Sequence, residues 1–422
     1  MTSSPEDQRS HSQESFDRTG IILLVVISLS MFASGMNVMG LQPFLVDIGQ
    51  DLGVSVPAAG QAMTITLLFS AISALIAGPL ADHFGHRRLM VGGGIILVLS
   101  AIGTAIAVNY VLFMGARLFG GMSLALLNGL SLAIAGSYFT GKARRRALSV
   151  TVAAMSGTAI LGVPALSWIG DAFSWRWAFA SVGMTAMILT PFLYLVIPLK
   201  IGETSGFQLS QIFNAYRPLF RQRSLLAVYL GSFIRAVFWL GMLSYFGAFM
   251  IEEHGLSLQQ VGYTYLVGGI GFLLGSLSAG GRIGSFDHRI LFTIVTVLGG
   301  VLFGIAYSAP IGPILSVLAL AAGGYFGAIG WVILNTMLAD ESKAGSGTTM
   351  SLNTAVFNLG SAAGGAVGGA VLAISSYAGL GYALPLFAVI ASAIVMASAW
   401  IHDRPTHEPG TSHQTAAGTS RS

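Results

Sequence analysis

The chain is a succession of apolar runs about twenty residues long, divided by short polar breaks, and this pattern leaves few folds open. A helix of roughly 20 apolar residues crosses the hydrocarbon core of a bilayer. In lipid every backbone N–H and C=O must be bonded within the protein, so only helices and closed barrels span it. Runs of this length suit a helix, at 1.5 Å rise per residue. They predict spans near residues 21–45, 58–80, 88–108, 110–137, 147–170, 176–198, 225–250, 258–281, 289–309, 312–337, 347–374 and 379–401. The expected fold is therefore an all-α polytopic membrane protein with about 12 transmembrane helices.

Composition agrees and removes other classes. Only 9% of the residues are charged and 54% are hydrophobic, whereas a soluble domain carries about 25% charged residues to meet water. The 55 glycines suit membrane helices, whose small residues allow close approach. Basic residues outnumber acidic ones, yet they are scattered through loops rather than gathered on one module, which argues against a nucleic-acid partner. There are no cysteines, hence no disulfide framework, thiolate metal site or cysteine nucleophile. No Walker-A sequence, metal-spaced histidine cluster or nucleophile elbow occurs. The reading is of a non-enzyme with no cofactor and no metal.

Residues 1–20 are polar and lack the layout of a cleaved signal peptide, so the first apolar run is expected to remain as a span. Of the 20 basic residues, all but Arg117, Arg176 and Arg235 fall on one side of the predicted topology. Basic loops stay in the cytoplasm, so both termini are expected there, in a multi-pass protein of the cell (inner) membrane. The longest internal loop, at 199–224, divides a six-helix bundle at 21–198 from another at 225–401. Residues 402–422 form a polar tail expected to be disordered. Similar signals recur in both halves. Gly78-Pro-Leu-Ala-Asp-His-Phe-Gly-His-Arg-Arg follows the second helix, and Gly280-Gly-Arg-Ile-Gly-Ser-Phe-Asp-His-Arg follows the eighth. This recurrence predicts two pseudo-symmetric bundles with the substrate path between them.

The first of those loops carries the strongest motif, Gly78-x-Leu80-Ala81-Asp82-His83-x-Gly85-His86-Arg87-Arg88. Gly78 is expected to let helices pack closely, Gly85 to allow a tight turn, and Asp82 with Arg87 and Arg88 to latch one conformation. Here the chain resembles the major facilitator superfamily over about residues 21–401, and within it the drug/H⁺ antiporter and arabinose-efflux-permease-like exporters. The family loop reads Gly-x-Leu-Ala-Asp-Arg-x-Gly-Arg-Arg, so His83 and His86 replace two usual basic residues. Arg117-Leu-Phe-Gly-Gly121 resembles the family pattern Arg-x-x-Gln-Gly, where the arginine is linked to proton coupling. Gly157 to Gly170, with Pro164, resembles the exporter-associated motif of the fifth helix. The resemblance implies a monomeric secondary transporter that moves a small molecule across the lipid bilayer, with protons as coupling partner.

Candidate residues follow from polarity at membrane depth, where ionisable groups are expensive and need partners. Arg117 either serves proton coupling or pins the first helix through Asn37. Arg235, near Trp239 and Tyr245, either holds an anionic or aromatic substrate or pins two helices. Asn37, Gln42, Gln61, Thr64, Asn128, Asn335, Asn353 and Asn358 are interhelical glue or cavity lining. Asp47, near the end of the first span, is the candidate proton carrier. Trp175, Arg176 and Trp177 suit an interfacial anchor. Three functions compete: proton-coupled efflux of small drug- or sugar-like organic molecules, import or exchange of an organic anion bound by Arg117 and Arg235, and a non-transporting sensor or enzyme.

Overall fold

The computed structural model describes residues 18–198, 216–279, 286–342 and 346–402, with the side chains at 79, 82, 346, 347 and 399–402 outside the description. Among the described residues, 12 helices are long and apolar enough to cross a membrane. We label these spans α1 (Arg18–Leu52), α2 (Val56–Phe84), α3 (His86–Ala105), α4 (Tyr110–Tyr138), α5 (Gly141–Ala172), α6 (Trp175–Val196), α7 (Arg223–Glu252), α8 (Leu258–Ala279), α9 (His288–Ser308), α10 (Gly312–Glu341), α11 (Ser346–Ile374) and α12 (Tyr377–His402). Every predicted span is present. The even number puts the start of α1 and the end of α12 on one face, called here the tail side; the other is the far side.

Local chemistry sets the ends and breaks. Asn109 caps α4 by accepting from the Leu112 N–H at 2.9 Å, and Asp287 caps α9 by accepting from Arg289 and Ile290 at 3.0 and 2.9 Å. Gly85, at φ 86°, makes the expected tight turn between α2 and α3. Pro43 breaks α1 into Arg18–Met39, a 3₁₀ turn at Gln42–Phe44 and a last helix at Leu45–Leu52. In α5 a π-helical turn at Thr158–Gly162, with the Val163 N–H bonded to the Thr158 carbonyl, precedes Pro164. Two expectations are corrected. Lys142, Arg144, Arg145 and Arg146 sit on the first turns of α5 rather than in a loop, because the helix extends past its apolar stretch. Trp175 is buried at the far end while Trp177 is 61% exposed, so only Trp177 has the exposure of an anchor.

The helices pack in two matching sets. In the first half α2 packs on α4, α3 on α6 and α4, and α1 on α4, α5 and α6; the same pattern, six helices on, holds in the second. This is the duplicated architecture the sequence implied. The halves meet chiefly where α2 lies against α11 and α5 against α8. Glycines make both kinds of contact, differently. At several contacts within a half the place of a missing Cβ falls on backbone: 2.0 Å from the Thr66 carbonyl at Gly121, 2.2 Å from that of Ala321 at Gly271 and 2.4 Å from that of Val237 at Gly364. Between halves it falls mostly on side chains: Tyr245 at Gly60, Thr64 at Gly365, Gln61 at Gly369 and Ile160 at Gly269.

Apolar burial is organised by depth. On the far side one core unites both halves, with Val38, Phe44 and Met63 in the same cluster as Trp239, Tyr245 and Phe303. On the tail side each half has its own. Leu23, Met90, Leu130 and Leu193 form the first; Leu225, Phe292, Leu334 and Val395 form the second, with Leu75 of α2 at its edge. The halves are thus fused toward the far side and separate toward the tails.

Candidate functional site

Arg117 is fully buried on α4 and reaches α1. Its Nη2 donates to the Asn37 carbonyl at 2.6 Å and its Nη1 to Asn37 Oδ1 at 3.3 Å. Asn37 Nδ2 donates on to Ser100 Oγ of α3 at 3.1 Å, and the Phe179 ring of α6 lies 5.4 Å from the guanidinium carbon. Gly120 leaves the space in which Ser100, Asn37 and Arg117 converge. One arginine so ties four helices, each contact exchanging solvation for a bonded or π partner.

Arg235 does the same in the second half with the roles exchanged. It sits on α7, the counterpart of α1, and donates to the Gly327 carbonyl on α10, the counterpart of α4. Its guanidinium carbon lies 5.7 Å from the Trp239 ring. Arg235 is 3% exposed. Among the described residues the two ion pairs are Arg176–Asp51 and Arg289–Glu341, so neither buried arginine has a described carboxylate partner.

These bonds correct part of the expected cavity. Asn37 is fully buried and engaged by Arg117. Gln42 is buried in the far-side turn of α1, its Nε2 unpartnered. Trp239 packs among Phe238, Phe272 and Phe303. Tyr245 is fully buried: its hydroxyl donates to the Gly365 carbonyl at 3.0 Å, and its ring fills a slot between Gly60 of α2 and Gly368 and Gly369 of α11. Arg235, Trp239 and Tyr245 therefore belong to helix packing. Tyr245 also reaches across the junction of the halves.

A second polar set includes Asn335 and Asn358, both half-buried, and Asn353, which is 2% exposed. Asn353 of α11 accepts from Ser232 of α7 at 2.7 Å and donates to Asn335 of α10 at 3.1 Å; Asn335 donates back to the Trp331 carbonyl at 2.8 Å. Asn358 donates to Ser70 of α2 at 3.1 Å, a bond between halves. Gln61 and Thr64 lie at the α2–α11 junction, with Thr64 Oγ1 buried and unpartnered. Asn128 stands apart on α4, its Oδ1 buried without a partner. Composition alone missed Trp331 and Phe357, whose rings lie 4.6 Å apart beside these amides. The Trp331-x-x-x-Asn335 spacing carried that signal, since residues four apart on a helix share a face.

Asp47 lies in the last helix of α1, away from Arg117, with Oδ2 buried and unpartnered and Asp171 close enough to act on it electrostatically. Beside it a cleft of about 420 Å³ opens between the halves, lined by Val46, Gly49, Gln50, Pro57, Glu252 and Leu372 among others. In the first turn of α3, Arg87 stacks 3.9 Å from the centroid of Tyr194 on α6, and Arg88 is exposed. The expected close approach at Gly78 is not seen among the described residues: a Cβ there would meet none of them within 4 Å. The Asp82 side chain lies outside the described residues.

Comparison with known proteins adds the family. The Major Facilitator Superfamily profile matches residues 27–323. The chain is 24% identical over 397 residues to the uncharacterized MFS-type transporter YbcL of Bacillus subtilis (strain 168), covering 90% of this chain and 96% of that one. It is 25% identical over 345 residues to YceJ, an uncharacterized MFS-type transporter of the same organism, covering 80% and 86%. Among solved structures it resembles a bacterial homolog of the human lysosomal transporter Spinster, with TM-score 0.71, 16% identity, and 92% and 98% of the chains covered. It also resembles a point mutant of the nucleoside transporter NupG, with TM-score 0.72, 14% identity, and 89% and 99% covered. A duplicated twelve-span fold and a profile match over most of its length place this multi-pass membrane protein in the major facilitator superfamily, as a secondary transporter of small molecules.

Proposed function

We propose that the chain is a monomeric, proton-coupled exporter of small uncharged organic molecules, working by alternating access in the cell (inner) membrane with its tail side in the cytoplasm. The division of the core carries this reading. One core joins the halves on the far side and two separate cores stand on the tail side, the arrangement expected of a carrier open toward its termini. The Spinster homolog it resembles is described as inward-facing and unoccupied, which agrees. Lys142 and Arg144–146 on the tail-side turns of α5 support the orientation.

The nature of the lining favours an uncharged cargo. Both arginine head groups are held in helix-to-helix bonds, so an organic anion has no free guanidinium to bind. The half-buried amides offer neutral hydrogen bonds instead. Asp47, with one buried oxygen unpartnered near a cleft on the far side, is the carboxylate best suited to take up and release a proton. The test is flux in vesicles reconstituted with the protein. An imposed pH gradient, acid inside, should drive uptake of neutral solutes through inside-out carriers. Flux that ignores the pH gradient and follows an organic-anion gradient would overturn the proposal.

A further inference from the structure

Trp331 and Phe357 are a half-buried aromatic pair that spans two helices of the second half. Their rings meet at 4.6 Å and 60°, joining α10 to α11. Both helices pack on α7 and touch each other little, so a side-chain pair that bridges them lies across α7. One helical turn from Trp331, and one from Phe357, the Asn335–Asn353 bond bridges the same two helices, and Ser232 of α7 anchors Asn353 beneath it. The residue after Phe357 is Asn358, which reaches Ser70 in the other half. The pair is therefore bounded by α7 behind and by the junction of the halves in front.

We infer that Trp331 and Phe357 form the substrate-contacting wall of this carrier, and that its cargo contains a planar aromatic ring bearing uncharged polar groups. The inference rests on the uncharged-cargo reading above and narrows it. The ring would stack against the indole, and the amides flanking the pair would meet the polar groups. Asn358 uses its Nδ2 on Ser70, and its Oδ1 has no described partner, leaving an acceptor beside the ring. The described ion pairs lie elsewhere and both buried guanidinium groups are engaged, so shape and π contact, not charge, select the cargo. Stacking of this kind is favoured over contact with a saturated ring of equal size.

The test uses the full chain in vesicles and matched solutes: phenyl against cyclohexyl β-glucoside, and benzamide against cyclohexanecarboxamide. Counterflow should favour the arene of each pair. Trp331→Leu should raise the KM for the arene roughly tenfold while leaving its saturated partner unchanged, and Trp331→Phe should recover most of the loss. A general packing defect would lower turnover of both partners equally, and that result overturns the inference. So does equal transport of arene and saturated solute by the unaltered chain. Transport of organic anions alone would sink both this inference and the uncharged-cargo reading. Transport of the saturated solutes alone would sink the aromatic wall and leave that reading standing.

Discussion

Replacing Gly60 by alanine should open the far side. A Cβ at this position would lie 2.4 Å from the Tyr245 hydroxyl, 2.5 Å from Cε1 and 2.7 Å from Cζ. Carbon contacts relax near roughly 3.5–4.0 Å, so the ring must retreat by about 1 Å. It has little room, since Cβ positions at Gly368 and Gly369 fall 2.9 and 2.6 Å from the same side chain, and retreat stretches its bond to Gly365. Overpacking of this kind costs about 1–3 kcal/mol, and the weakened bond adds about 1 kcal/mol. Gly60 belongs to one half and Tyr245 to the other, so only the far-side-closed conformation bears the strain. At about 1.4 kcal/mol per factor of ten, these costs together should move the equilibrium roughly 30- to 700-fold toward far-side opening. The chain has no cysteine, so Gln50→Cys with Ser376→Cys can be spin-labelled cleanly and the distance across the far side measured. The variant should populate longer distances than its parent. Adding Tyr245→Leu should abolish the effect of Gly60→Ala, since the obstructed ring is gone. An unchanged distance distribution, or the same shift with and without the tyrosine, would refute the slot as a closing device.

Other outcomes follow from the same geometry. Asp47→Asn should remove pH-driven flux while leaving counterflow intact, measured in the same vesicles; retained pH coupling would exclude Asp47 as the proton carrier. Gly121→Ala should lower the melting temperature in detergent by the equivalent of about 3 kcal/mol, because its Cβ would fall 2.0 Å from a backbone oxygen. Gly115→Ala on the same helix, with nothing within 4 Å, should cost nothing measurable. Asp82→Asn, in the motif between α2 and α3, should slow turnover without altering the order of preference among solutes, read from initial rates.

Helix number, order and duplication were legible because bilayer thickness imposes a length that apolar runs announce. The pin from Arg117 to Asn37 was legible too, since a buried guanidinium must find an acceptor and few were near. The direction each polar side chain faces was not. Most of these helices are apolar on every side, so no stripe distinguishes the lipid face from the interior. Tyr245 and Trp239, near Arg235, read as cavity aromatics; their burial depends on glycines in α2, α10 and α11 far away in sequence. Gly78 read as a point of close approach, but none of the described residues approaches it. Trp331 and Phe357 lie 26 residues apart on consecutive helices and meet because α10 and α11 both pack on α7.

The two kinds of glycine contact divide the molecule by how readily it can be retuned. Where Gly121, Gly271 and Gly364 press on carbonyls, neither surface has a torsion to turn, and each half behaves as a stiff plate. Where Gly365 and Gly369 press on threonine and glutamine, the opposing surface can change rotamer and slide. The plates therefore rest on a compliant bearing. Exchanging one bearing side chain for another adjusts the pace of the cycle and spares the scaffold, so variation that alters speed should gather along this seam.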